Sequence, residues 1–174
     1  MIRDIYYFLL NNYFLKFPSR KFRKLILKRT LGKLGQNSNF LRFVELRSAG
    51  RIFIGNNTVI NQRVLLDGRG GQIKIGNNVD IAQDTKIWTL EHDPHDDYHR
   101  TKGGSVIIED YVWIASGVTI LPNVTVGRGA VIATNSVVTR DVPSMAIVGG
   151  IPAKNIGQRK SKLLYNLNYS PRLR

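Results

Sequence analysis

An aliphatic residue returns at every sixth position from Ile108 onward: Ile108, Ile114, Ile120, Val126, Ile132 and Val138. Four residues after each stands a small or β-branched side chain: Val112, Val118, Val124, Ala130, Ser136 and Val142. Helical stripes recur at three or four residues and a half-buried strand alternates at two, so neither carries this pattern. A period of six requires a short strand, a corner and another short strand, with one side chain per six directed inward. The same phase holds at Ile54, Ile60 and Leu66, and again at Ile75, Ile81 and Ile87, which makes twelve hexads with two interruptions. A β-sandwich of short strands has no reason to keep that phase. A solenoid does, because one coil cannot bury its own inward residues and stacked coils can. Glycine follows the aliphatic residue at Gly55, Gly76 and Gly127, with Asn-Asn behind two of these. Gly and Asn both accept corner conformations, including positive φ.

The interruptions fall at Asp67–Gly71, a slip of three residues, and at 89–104, TLEHDPHDDYHRTKGG. The second holds all three histidines, His92, His95 and His99, with Glu91, Asp93, Asp96 and Asp97. A solenoid that places this many polar residues on one insertion is building a site there. Ahead of the repeats, residues 1–34 read as helical, broken at Pro18, with Pro-Ser opening a second helix and Gly32, Gly35 and Asn37 ending it. The expected division is a basic amphipathic helical extension over 1–35, a solenoid domain over 36–157, and a basic tail over 158–174 that can end in a short helix.

The formal charge of +14 sits on the flanks: residues 1–35 carry +8, residues 154–174 carry +6, and the repeats between them balance. A nucleic-acid groove would place charge on the folded domain as well, so this distribution suits an anionic membrane surface or phosphorylated ligands and argues against nucleic acid. With no cysteine, disulfides, thiolate metal sites and a cysteine acyl-enzyme are excluded. The first residues lack a small-residue cleavage site, which fits a secretory signal poorly. No apolar run is long enough for a spanning helix. A cytoplasmic protein, peripheral at the inner face of the membrane through its N-terminal segment, is the expectation.

The hexads over about 36–157, and the segments Tyr111-Val112-Trp113-Ile114-Ala115-Ser116-Gly117 and Trp88-Thr89-Leu90-Glu91-His92-Asp93-Pro94, resemble the hexapeptide-repeat acetyltransferases. The likeness is greatest to the sugar and xenobiotic O-acetyltransferases of exopolysaccharide, colanic acid and capsule biosynthesis. The resemblance implies a left-handed parallel β-helix, an all-β solenoid, assembled as a homotrimer with acetyl-CoA bound between neighbours. It places His92 as general base. Glu91 and Asp93 are its neighbours and candidates to orient it, and a backbone carbonyl would serve equally. It places Trp113 and Ser116 beside the pantetheine arm, with Thr134 one coil of eighteen residues further on and stacked on the same side, and Thr139, Arg140 and Lys154 at the nucleotide end, where the two cations can pair with phosphates. On the acceptor side it suggests Asp67, and Asn61 with an offset of about one residue.

The expected reaction is direct transfer from acetyl-CoA to a hydroxyl of a sugar or polysaccharide precursor, lipid-linked or nucleotide-linked. An N-acetyltransferase would look the same at this level. Zinc held by the loop histidines, in the manner of carbonic-anhydrase-like solenoids, is a third reading. Pro94 argues against the helix that would align them, and the zinc proteins draw their histidines from successive coils. No metal is expected. A structural solenoid without catalysis is the fourth.

Overall fold

In the computed structural model, which describes residues 1–169, the chain folds as a three-sided parallel β-helix capped by two helices. Coil 1 comprises β1 (Lys33–Leu34), β2 (Asn39–Phe40) and β3 (Glu45–Arg47). Coil 2 comprises β4 (Ile52–Ile54), β5 (Val59–Ile60) and β6 (Leu65–Asp67). Coil 3 comprises β7 (Ile73–Ile75), β8 (Asp80–Ile81) and β9 (Lys86–Trp88). A hairpin, β10 (Leu90–His92) and β11 (Thr101–Gly103), then leaves the prism. Coil 4 follows with β12 (Val106–Ile108), β13 (Trp113–Ile114) and β14 (Thr119–Ile120), and coil 5 with β15 (Thr125–Val126), β16 (Val131–Ile132) and β17 (Val137–Val138). A closing hairpin, β18 (Ala146–Gly150) and β19 (Ala153–Gln158), pairs β18 with β16.

The first strands of all five coils form sheet A, the second strands form sheet B with the closing hairpin, and the third strands form sheet C. Ile54, Ile75, Ile108 and Val126 stack in register along sheet A, and Ile60, Ile81, Ile114 and Ile132 along sheet B. These inward side chains are buried, as the six-residue phase requires. Each buried Val, Leu or Ile contributes roughly 1.5–3 kcal/mol, and the N–H of one coil donates to the carbonyl of the next, as Gly55 to Ile75 at 2.7 Å and Gly76 to Ile108 at 2.8 Å.

The corners explain the Gly-Asn-Asn signature differently from the sequence expectation. Positive φ is held by Asn57 (φ 54) and Asn78 (φ 53), while Gly55, Gly76 and Gly127 are not in that region. Those glycines are there for close approach: a Cβ on Gly55 would lie 2.5 Å from the Gly76 carbonyl. The asparagine between glycine and turn forms a ladder, with Asn56 N–H donating to Asn77 Oδ1 (2.8 Å) and Asn77 N–H to Asp110 Oδ1 (2.7 Å).

All insertions fall on one edge, where sheet C hands over to sheet A. Coils 1 and 2 pair at a separation of 20 residues (Leu34 with Ile54), coils 2 and 3 at 21 (Ile54 with Ile75), coils 3 and 4 at 33 (Ile75 with Ile108), and coils 4 and 5 at the basic 18. The shortest insertion, which includes Ala49–Arg51, is the reason coil 1 looks irregular in sequence. β1 begins at Lys33, three residues ahead of the expected domain start at 36.

The N-terminal extension is helical as expected. α1 is Ile2–Asn12 and α2 is Arg20–Thr30, with Ser19 as N-cap accepting from the Phe22 N–H. Leu10, Leu15 and Leu27 close the apolar end of the prism, and Arg23 donates to the Phe40 carbonyl of coil 1 at 3.2 Å. The tail departs from expectation: no helix forms after β19 among the described residues, and 170–174 lie outside them. It runs extended along the A–B edge toward coil 1. Arg159 donates to the carbonyls of Tyr111 (2.8 Å) and Gly129 (3.1 Å), the Leu167 N–H to Asn78 Oδ1 (3.0 Å), and Asn39 Nδ2 to the Tyr169 carbonyl (3.0 Å). Leu163, an apolar point of the expected helix, is buried in this run.

The corner argument gives a paired test. Gly55→Ala should lower stability by about 1–3 kcal/mol, because coils 2 and 3 must separate to admit the methyl. Gly50→Ala, whose added methyl would have nothing within 4 Å, should change it by less than about 0.5 kcal/mol. Denaturant melts of the two variants measure both, and equal effects would contradict the close-approach account.

Candidate active site

The hairpin β10–β11 grows from the C–A edge of coil 3 and pairs His92 with Thr101. Its root is fixed by Thr89, which is buried, donates through Oγ1 to the Asp67 carbonyl and accepts from the Gly70 N–H at 3.0 Å. At its tip, Asp93 Oδ1 accepts from the His95 N–H (3.0 Å), and Asp96 Oδ1 from the N–H groups of Tyr98 (2.8 Å) and Arg100 (3.2 Å). These backbone bonds hold both carboxyls below the ordinary aspartate range. Asp93 and Asp96 therefore build the loop's own turn.

His92 is exposed near that tip, and its Nδ1 lies 2.8 Å from the His99 carbonyl oxygen. A carbonyl can only accept, so Nδ1 carries a proton, and in the neutral ring the lone pair is then on Nε2. The His99 ring also stacks on His92, with centroids 3.9 Å apart and planes 6° from parallel. Of the orienting groups offered by the sequence, the backbone carbonyl is the one in contact. Glu91 and Asp93 instead approach Lys102, at 3.6 and 3.8 Å. His99, which sequence reading considers only as a metal ligand, supplies both contacts. Only the antiparallel pairing of β10 with β11 brings it back across seven residues. Among the described residues, no group of three or more His, Asp or Glu side chains is arranged to hold a metal ion.

The acceptor-side candidates are already engaged within the chain. Asp67 has no exposed surface, and its carboxylate takes Arg69 Nε (2.9 Å), Arg69 Nη2 (2.7 Å) and the Arg69 N–H (3.0 Å). It reaches the surface only through that guanidinium and through Arg47, 3.6 Å away. Asn61 donates to Asp80 Oδ1 (3.2 Å) and to the Ile81 carbonyl (3.0 Å). Sequence reading missed Arg47 and Arg69. The available signal was their place at the end of β3 and just beyond β6, on the edge that takes every insertion.

The cofactor-side candidates are half-buried or exposed. Trp113 is 47% exposed on sheet B, and Ser116 and Thr134 stand one coil apart on the B–C edge, where the Asn135 N–H donates to the Ser116 carbonyl at 2.9 Å. Thr139 and Arg140 are exposed on the C–A edge of coil 5, and Lys154 is exposed in β19. Within one prism, then, His92 and Arg140 share one edge while Ser116 and Thr134 occupy another. Both sets carry exposed or half-buried polar groups.

The family model described as bacterial transferase hexapeptide (six repeats) matches residues 105–140. A Saccharomyces cerevisiae relative is 41% identical over 123 residues, 68% of this chain and 61% of that protein, so this chain spans less than two thirds of it. The crystal structure of a hexapeptide-repeat acetyltransferase from Vibrio cholerae, complexed with acetyl-CoA, superposes with a TM-score of 0.83 at 32% identity, covering 89% of this chain and 86% of that one. A maltose O-acetyltransferase from Clostridium difficile gives 0.84 at 30% identity, covering 90% and 86%.

Asp80 offers a test of the Asn61 contact. Burial pushes its carboxyl above the ordinary range, against the opposing hydrogen bond from Asn61. With a folded-state pKa above the unfolded one, its contribution is most favourable in acid and is lost as pH rises through the folded value. Asp80→Asn keeps an acceptor for Asn61 and removes the buried charge. The variant should melt about 1–2 °C higher at pH 7, an advantage that fades as the pH falls below the carboxyl's range. A lower melting temperature at pH 7 would contradict this assignment.

Proposed function

This chain belongs to the hexapeptide-repeat acetyltransferase family, and on that ground we propose that it transfers the acetyl group of acetyl-CoA to a hydroxyl of a sugar or polysaccharide precursor. The observation that carries the reading is His92: an exposed imidazole whose Nδ1–H is committed to the His99 carbonyl, leaving Nε2 to take a proton. Nε2 removes the hydroxyl proton as the oxygen attacks the thioester carbonyl. The tetrahedral oxyanion collapses, the C–S bond breaks, and the imidazolium returns its proton to the departing thiolate. The thioester supplies the free energy, and the protein supplies alignment and the positioned base. Transfer to an amino sugar would use the same base and is the second reading at this site.

The division of the candidate residues between two edges supports a homotrimer in which the hairpin of one prism meets the Ser116–Thr134 edge of its neighbour. Arg140 and Lys154 hold the CoA phosphates in this reading.

Peripheral membrane contact is supported by α1, whose Ile2, Ile5, Phe8 and Leu9 are exposed beside the exposed Lys21, Lys28 and Arg29 of α2. No helix among the described residues is long and apolar enough to cross a membrane, and an apolar stripe next to cations is the pattern of an interfacial helix.

Two measurements test these readings. Purified protein with labelled acetyl-CoA and a panel of nucleotide- and lipid-linked sugars should give labelled product. His92→Ala should lower kcat by roughly 10²–10⁴-fold. A mixture of His92→Ala with Thr134→Trp subunits, refolded together, should recover part of the activity that neither has alone, because some sites then combine two intact edges. Full activity in His92→Ala removes the base assignment, and no recovery in the mixture removes the shared site. Sedimentation with phosphatidylglycerol vesicles should fall several-fold for Ile5→Ser/Phe8→Ser, and wild-type protein left in the supernatant would refute the membrane contact.

A further inference from the structure

Where α1 leans over the first two coils, a cavity of about 910 Å³ opens beside the C–A edge. Five basic side chains line it: Arg3, Lys16, Arg47, Arg51 and Arg69. The carboxylates around them are already engaged. Asp4 holds the N-terminal ammonium at 2.8 Å, Glu45 holds Arg47 at 2.8 Å, and Asp67 holds Arg69 at 2.7 Å. Arg3, Lys16 and Arg51 have no carboxylate within ion-pair distance among the described residues.

Asp67 is the informative member. A fully buried carboxylate is costly unless it is well paired, and here it is paired to fix something facing outward. The Arg69 guanidinium spends its Nε and Nη2 donors on Asp67, and its Nη1 donors are not used there. Arg47 is pinned between Glu45 and Asp67 and stacks over the Trp88 ring, 5.4 Å from its centroid. Each guanidinium has five N–H donors; every Arg47 nitrogen already faces Glu45 or Asp67, whereas Arg69 keeps its Nη1 donors unused as a pre-oriented fork at the cavity wall. Planar forks of this kind match phosphate oxygens in pairs. Trp88 ends β9 and stands four residues before His92, so Arg47 connects the cavity wall to the strand that leads to the candidate base.

We propose that this cavity binds the phosphate or pyrophosphate of a phosphorylated acceptor, with Arg3, Arg51 and Arg69 as ligand contacts and Asp67 as the positioning residue beneath them. The identity of the ligand as acceptor rests on the acetyl-transfer reading; anion binding itself does not. The cavity is separate from the cations assigned to CoA, since Arg140 lies on coil 5 and Lys154 in the closing hairpin.

The experiment uses the full chain and calorimetric titration with inorganic pyrophosphate, with methyl glucuronide as the carboxylate probe. Arg3→Ala/Arg51→Ala is the informative variant, because both side chains are exposed and neither pairs with Asp67; Arg51 meets Arg69 only at its main-chain carbonyl, 3.2 Å away. Arg140→Ala/Lys154→Ala controls for the nucleotide end. Pyrophosphate should bind saturably and be weakened about tenfold or more by the first pair, with less than about a twofold change from the second. Binding lost only in the second pair, no saturation by about 10 mM, or tighter binding of glucuronide would each overturn the proposal. In acetyl transfer the first pair should raise KM for a sugar phosphate about tenfold at unchanged kcat, and leave KM for a neutral glycoside unchanged. An equal rise for both acceptors would also overturn it. Pyrophosphate binding at the cavity with no transfer to any acceptor would instead sink the acetyl-transfer reading and keep the anion site.

Discussion

The contact between one inward aliphatic side chain and its equivalents in the coils above and below governs this molecule. Ile75 stands in a column between Ile54 and Ile108, and that column holds only if the three strands of each coil keep register with those of the next. Extra residues within a strand would turn the whole apolar set away from the core. Extra residues can enter only at a corner, and here they enter at one corner alone. The rigid part of the fold thereby decides where the variable part can grow. The polar hairpin, the buried Asp67 with its two arginines, and the cavity under α1 all lie along that edge because it is the edge where the register permits growth.

Much of this is legible in the sequence, and the reasons differ from element to element. The hexads from Ile108 to Val138 specify the same short strand and corner over and over, so strands, sheets and core follow from them directly. Pro18 and Ser19 mark the break between helices through local backbone chemistry. Coil 1 is obscured because its insertion is too short to look like a loop and long enough to break the phase. The glycines at 55 and 76 are legible as corners but not in cause, since a corner glycine required by a neighbouring backbone looks the same in sequence as one required by positive φ. Leu163, Leu164, Tyr165 and Leu167 look helical because nothing in the sequence announces that Asn78 and Tyr111 wait to bind an extended chain.

The candidate site shows the same division. His92 is visible as the histidine of the insertion that lies closest in sequence to a regular strand. Its partner is not, because the contact depends on how the hairpin closes and not on any spacing between the two histidines. Asp67 draws attention as an acid at a strand end, and burial reassigns it from ligand group to anchor for Arg69. The separation of Ser116 and Thr134 from His92 by a whole face of the prism requires the sheet order.

The tail has a mechanical meaning. An array of coils that touch only their neighbours can peel from either end, one unit at a time. Here a single extended segment crosses coils 5, 4 and 3 and reaches the Asn39 side chain of coil 1. Detaching the last coil therefore strips bonds from the first, and fraying at one extremity is felt at the other. The prism behaves less like a stack of independent plates than like a bundle tied along its length, which tends toward all-or-none opening.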